Sequence, residues 1–134
     1  MTAPAQVLIV EDNVLVAKFY RMALERAGGF ACLVTEDVSA MLECVRGGGV
    51  QVAILDVSLS GAEWEGRLLD GLELTRLLKQ ASSRPLPVLL ATAHAMVGDQ
   101  ERLLAASGAD GYLVKPIYDA ELLVGEVRRL LGND

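Results

Sequence analysis

The stretch that most constrains the fold is Gln51–Ser58, where four consecutive apolar residues, Val52-Ala-Ile-Leu55, run directly into Asp56. An unbroken apolar run of this length, rather than an alternating one, fits a strand covered on both faces inside a parallel sheet. Open α/β sheets carry their chemistry at the carboxyl ends of such strands. Three further runs end in the same manner: Val7-Leu-Ile-Val10 enters Glu11-Asp12, Val88-Leu-Leu-Ala91 enters Thr92, and Gly111-Tyr-Leu-Val114 enters Lys115-Pro116. Strand ends carrying three acids, a hydroxyl and an ammonium place one site on one edge of one sheet.

The rest of the chain supplies the helices between those strands. Asn13 to Ala27 has Val16, Tyr20, Ala23, Leu24 and Ala27 at helical spacing, and Gly28-Gly29 ends it. Ala31 to Thr35 is a shorter, less apolar strand suited to a sheet edge. Ala40, Met41, Cys44 and Val45 mark the buried side of a second helix that ends at Gly47-Gly-Gly49. Asp70-Gly-Leu-Glu73 has the form of a capping box opening a third helix with Leu72, Leu74, Leu77 and Leu78 as its apolar contacts. Asp99 to Ala106 predicts a fourth helix, and Asp119 caps a fifth in which Leu122, Leu123, Val127, Leu130 and Leu131 recur. Strand and helix alternate five times, so the predicted fold is α/β, a doubly wound five-stranded parallel sheet with five helices. At 134 residues the chain predicts one domain over 1–134 with a core spanning about 6–131.

Composition narrows the function. A net charge of -6 and a pI near 4.7 argue against direct binding of duplex DNA, which selects a basic face. No apolar run reaches membrane-spanning length, and the N-terminus lacks a basic segment followed by an apolar one, so a cytoplasmic location is expected. Cys32 and Cys44 do not form a metal-binding pattern and read as buried free thiols.

Glu11, Asp12 and Asp56 would gather three carboxylates at the sheet edge, an unfavourable cluster unless protonated or bridged by a cation. Mg²⁺ suits such oxygen ligands. The plainer reading is that Asp12 or Asn13 caps the first helix and Glu11 is solvated. Asp56 is chemically able to act as a nucleophile toward phosphorus, since carboxylates form acyl phosphates. Phosphoryl transfer mostly requires positioning and charge neutralisation, roles open to a cation and to Lys115, and Thr92 offers a hydroxyl to a phosphoryl oxygen.

Glu11-Asp12, Asp56, Thr92-Ala93 and Lys115-Pro116, in this order and at these spacings, resemble the receiver domain of two-component response regulators. The resemblance runs from Val7 to Leu131 and takes in Asp70-Gly-Leu-Glu-Leu74 and Gly108-Ala-Asp-Gly-Tyr-Leu-Val-Lys-Pro116. It implies the flavodoxin-like strand order 2-1-3-4-5, with Asp56 as phosphoacceptor for a histidine kinase or phosphotransfer protein. Glu11, Asp12, Asp56 and the Ser58 backbone carbonyl would hold Mg²⁺, or Mn²⁺ in its place. Thr92 and Lys115 would grasp the phosphoryl oxygens, Thr92 and Tyr112 would form the switch, and the Lys115–Pro116 bond would be cis. Ser58 and His94, each two residues past a site position, are candidates for tuning the lifetime of the phosphorylated state. Phosphorylation would alter the face made by the fourth helix, fifth strand and fifth helix, and so the affinity for a downstream protein or relay partner. The chain would be a monomer or weak dimer, would catalyse its own phosphorylation and slow dephosphorylation, and would carry no separate output enzyme.

Two departures stand out. The family usually has proline four positions after the phosphoacceptor, where this chain has Ser60. Asp70-Gly71 also arrives about half a dozen residues late, beyond the usual strand-to-helix loop. The connection Val57–Leu69 is therefore an extended loop beside the site, acting as a lid or partner contact anchored by Trp64, or passively packed on the domain. Other functions compete less well. A flavodoxin-like FMN carrier needs a phosphate loop that Glu11-Asp12-Asn13 would repel, and a haloacid-dehalogenase-type phosphatase wants an acid where Ser58 stands. A non-phosphorylated receiver-like scaffold, or a receiver piece cut from a longer hybrid kinase, remains the alternative.

Overall fold

The computed structural model describes residues 4–93 and 98–132. In chain order its elements are β1 (Gln6–Val10), α1 (Val14–Arg26), β2 (Ala31–Val34), α2 (Val38–Arg46), β3 (Val52–Asp56), β4 (Glu63–Trp64), β5 (Arg67–Leu68), α3 (Gly71–Ala81), β6 (Val88–Thr92), α4 (Asp99–Ser107), β7 (Gly111–Val114) and α5 (Ala120–Leu130). Five strands form one parallel sheet in the order β2-β1-β3-β6-β7. Counting only these strands, that is the anticipated 2-1-3-4-5.

The apolar runs divide between two cores by the period-two alternation of a strand. Val7 and Ile9 of β1, Val52 and Ile54 of β3, and Leu89 and Ala91 of β6 pack with α1 and α5. Leu8, Val10, Ala53, Leu55, Val88 and Leu90 pack on the opposite face with α2, α3 and Leu103 of α4. Every residue of β3 and β6 is buried, whereas β2 and β7 are only partly so. Local signals set the helix starts. Asn13, Asp37 and Asp119 each accept two first-turn amides, and Asp70 and Glu73 close a reciprocal capping box.

Helix faces differ in detail from the sequence reading. Ala17, not Val16, joins Tyr20, Ala23 and Leu24 in the buried stripe of α1, and Ala27 lies outside it as the C-cap. In α2, Val38 and Leu42 join Met41 and Val45, while Cys44 lies half-buried at the margin. Cys32 and Cys44 are both free and both half-buried, not enclosed. Burial, with the charge of Glu25 adding to it, pushes the Cys32 thiol up to about 11.

The Val57–Leu69 connection is not a featureless loop. It folds into an antiparallel hairpin in which Glu63 pairs with Leu68 and Trp64 with Arg67. Its two turn residues, Glu65 and Gly66, both have positive φ, 52° and 78°, as a two-residue hairpin turn demands. The hairpin roots in the core: Ala62 and Leu69 are buried, and the Leu69 amide donates to the Ala62 carbonyl at 2.8 Å. Trp64 packs half-buried against the α2–α3 core. No helix among the described residues is long and apolar enough to cross a membrane.

Candidate functional site

The sheet order changes direction beside β1, since the chain passes from β1 to β2 on one side and to β3, β6 and β7 on the other. A crevice at the strand carboxyl ends follows from that reversal. Glu11 follows β1, Asp56 ends β3, Thr92 ends β6, and Lys115 follows β7. All four stand at this edge. The Lys115 ammonium bridges two of them, donating to Glu11 Oε1 at 2.8 Å and to Asp56 Oδ2 at 3.1 Å. The Glu11 and Asp56 side chains are only 1% and 9% exposed, so they share the ammonium largely away from solvent. Burial alone would lower the Lys115 value, but hydrogen bonds to both carboxylates and their charges outweigh it and raise it.

Asp12 makes its hydrogen bonds to a different residue, Ser60. Its Oδ2 accepts from the Ser60 amide at 2.6 Å and the Ser60 hydroxyl at 2.5 Å. Its Oδ1 is buried and has no hydrogen-bond partner among the described residues when Glu36 is ionised. A proton held on Glu36 is shared with the Asp12 carboxylate, which raises Glu36 above its ordinary range. Burial opposes ionisation of Asp12, but the bonds to Ser60 and Glu36, with the charge of Lys115, outweigh it and lower its value.

The three carboxylates therefore engage two different partners, Ser60 at Asp12 and Lys115 at Glu11 and Asp56. Among the described residues no group of three or more His, Cys, Asp or Glu side chains forms a ready metal cage. Lys115 already supplies a positive charge to Glu11 and Asp56. The donor set still fits a hard divalent ion. With Glu36 ionised, Asp12 presents a buried oxygen with no hydrogen-bond partner among the described residues, and Glu11 and Asp56 already stabilise a cation between them.

Thr92 is buried at the end of β6, and its carbonyl accepts from the Lys115 amide at 2.7 Å, which fixes the two strand tips together. The exposed Ser58 donates its amide to Asp56 Oδ1 at 3.2 Å, orienting that carboxylate. Tyr112 sits half-buried in β7 opposite Leu90 and packs against the α2–α4 core. The Lys115–Pro116 peptide is cis. His94 lies outside the described residues.

Three participants had no local sequence signal. Ser60 and Glu36 reach Asp12 from segments remote in sequence. Tyr20, placed by its spacing on the apolar face of α1, buries a hydroxyl that has no hydrogen-bond partner among the described residues. Its phenol is pushed up to about 12 by burial and by the charges of Glu11 and Asp56, with Lys115 acting in the opposite sense. Asn13 does cap α1, and its own amide donates to Glu11 Oε2 at 3.1 Å, so capping and orientation of an acid coexist there.

A doubly wound sheet whose strand tips present Glu11, Asp56, Thr92 and Lys115 defines the receiver class of α/β protein. The chain belongs to the response regulator receiver domain family, whose profile matches residues 7–127. It is 35% identical over 131 residues to the polar-differentiation response regulator DivK of Brucella anthropi, covering 97% of this chain and 98% of that one. It is 36% identical to the transcriptional regulatory protein CseB of Streptomyces coelicolor, covering 98% of this chain but 51% of CseB. A crystal structure of a putative response regulator from Chloroflexus aurantiacus superposes with a TM-score of 0.76 at 27% identity, over 98% of this chain and 100% of that one. The chain is thus a two-component signalling module of CheY-like fold.

Proposed function

We propose that Asp56 accepts a phosphoryl group from a histidine kinase or phosphotransfer protein, and that the resulting charge change switches the α4–β7–α5 face for a downstream protein or relay partner. The observation that carries this reading is the Lys115 ammonium held between Glu11 and Asp56 in a nearly dry crevice. A carboxylate oxygen of Asp56 attacks phosphorus, the bond from phosphorus to the donor imidazole nitrogen breaks, and the imidazole leaves with its electron pair. Lys115 balances charge on the added group, and Thr92 donates its hydroxyl to a phosphoryl oxygen. Movement of Thr92 toward that oxygen draws Tyr112 inward, giving a two-state element for the new charge to bias.

Glu11, Asp12, Asp56 and the Ser58 carbonyl would hold Mg²⁺, with Mn²⁺ a chemically similar substitute. Such an ion neutralises the carboxylates and the transferred group together. An apolar groove of about 520 Å³ beside Lys115, lined by Leu15, Val16, Phe19, Ile117 and Tyr118, supports docking of a protein donor rather than a small one. Leu15 and Tyr118 are 77% and 84% exposed there, a large apolar area for a surface with no partner.

Intact mass after incubation with acetyl phosphate tests the chemistry. A Mg²⁺-dependent phosphoryl adduct on the native protein, absent from Asp56→Asn, is expected. A folded native protein that gains no adduct under any condition would favour a scaffold that binds partners without phosphorylation.

A further inference from the structure

We propose that Ser60 is a positioning residue for the cation site and that it ties the Glu63–Leu68 hairpin to that site. The inference rests on the reading that Asp12 is one of the Mg²⁺ ligands. Ser60 places two donors on one oxygen of Asp12, its amide at 2.6 Å and its hydroxyl at 2.5 Å, both on Oδ2. The other oxygen, Oδ1, is buried and, with Glu36 ionised, has no hydrogen-bond partner among the described residues. The carboxylate is thus fixed at one end and unsatisfied at the other. A buried anionic oxygen without a partner is costly, and a cation relieves that cost. Two donors on Oδ2 also restrain rotation about the carboxylate's own axis, so less ordering is needed when an ion arrives.

Ser60 is not a free surface residue on its other side. Gly61 lies so close to α2's leading segment that a methyl carbon there would overlap a Glu36 carboxylate oxygen. Ala62 is fully buried and receives the Leu69 amide, which closes the base of the hairpin. Trp64 follows two residues later, half-buried against the core. A short stretch of chain therefore runs from a hydrogen bond on Asp12 to an aromatic ring packed on the core. Settling the Asp12 carboxylate on an ion shifts or stiffens Ser60, and the short, rooted path carries that change to Trp64. The inserted hairpin is then a reporter and regulator of cation occupancy built into this chain.

Mg²⁺ titration of the native protein, Ser60→Ala and Ser60→Thr separates the possibilities, read by calorimetry and by emission of Trp64, the sole tryptophan. The native protein should bind Mg²⁺ with a parallel change in emission. Ser60→Ala should bind about tenfold more weakly, the usual scale for loss of a residue orienting a metal ligand, and its emission change should shrink. Ser60→Thr, which keeps the hydroxyl, should restore both. Equal affinity and equal emission change in native protein and Ser60→Ala would overturn the inference while leaving the cation site standing. Absence of Mg²⁺ binding by the native protein would instead remove the cation-site reading, and this inference with it.

Discussion

Gly71 offers a prediction whose sign depends on one close approach. It is the first residue of α3 and lies over the end of β3, donating its amide to the Val57 carbonyl at 2.9 Å. A methyl carbon at this position would overlap the Asp56 carbonyl oxygen and stand 2.8 Å from Val57 Cα. All of those atoms are backbone, so no side chain can swing aside. The start of α3 must retreat, and overpacking of this kind costs about 1–3 kcal/mol. Because both surfaces are backbone, the upper figure applies. Helix propensity acts the other way, since alanine is favoured over glycine within a helix by about 1 kcal/mol. The net expectation for Gly71→Ala is a loss of about 2 kcal/mol, near 8 °C in Tm for a chain of this size. Gly125 is the internal control. It lies mid-helix in α5, and a methyl carbon added there would meet nothing within 4 Å. Gly125→Ala should therefore gain about 0.5–1 kcal/mol. Urea and thermal unfolding followed by far-UV circular dichroism would measure both. A Gly71→Ala protein as stable as the native one, or more so, would refute the steric argument outright.

Two further outcomes follow from the charges of the site. Lys115→Met leaves Glu11 and Asp56 facing each other without their shared cation, and should destabilise the fold by about 2 kcal/mol, below the full cost of breaking a buried pair because Lys115 keeps some contact with water. Millimolar Mg²⁺ should recover most of that loss through binding to the folded state alone, and a variant whose Tm ignores Mg²⁺ would count against the two acids as cation ligands. The second outcome concerns Glu36, whose value is raised above its ordinary 4.5 by its bond to Asp12. Between that value and its folded one, the folded state holds more protons than the unfolded state, so stability from this group is present at lower pH and lost as pH rises. Asp12, lowered from 3.8, behaves oppositely and loses its contribution only as pH falls. Native protein should therefore lose urea resistance relative to Glu36→Gln as pH climbs from about 4.5, and a pH-independent difference would show that no proton is shared.

Much of this fold is legible because its strands are long apolar runs and its helices begin at Asn13, Asp37, Asp70 and Asp119, residues whose side chains act on amides two or three positions away. The strand-tip positions of Glu11, Asp56, Thr92 and Lys115 follow from the same runs. The hairpin does not, because two-residue strands at Glu63–Trp64 and Arg67–Leu68 are too short to show a period and their turn is Glu-Gly rather than Asn-Gly. Nor does the division of the acids between two partners, Ser60 for Asp12 and Lys115 for Glu11 and Asp56. It depends on Ser60, 48 residues away in sequence, and on an ammonium 104 residues from Glu11. Local pattern carries no information about which distant donor reaches an acid first.

The strand tips that build the site also differ in stiffness. β1, β3 and β6 each have a strand on both sides, whereas β7 closes the sheet with one free edge and ends at Val114, 39% exposed. Backbone opening is easiest where a strand has a single neighbour and solvent on its outer side. Glu11, Asp56 and Thr92 thus sit at the ends of strands paired on both sides, and Lys115 follows the strand paired on one side only. The site is an anvil with one hinged jaw. On the phosphoacceptor reading proposed above, the fixed members would set where a group is received, and the compliant member would set how tightly and for how long that group is gripped.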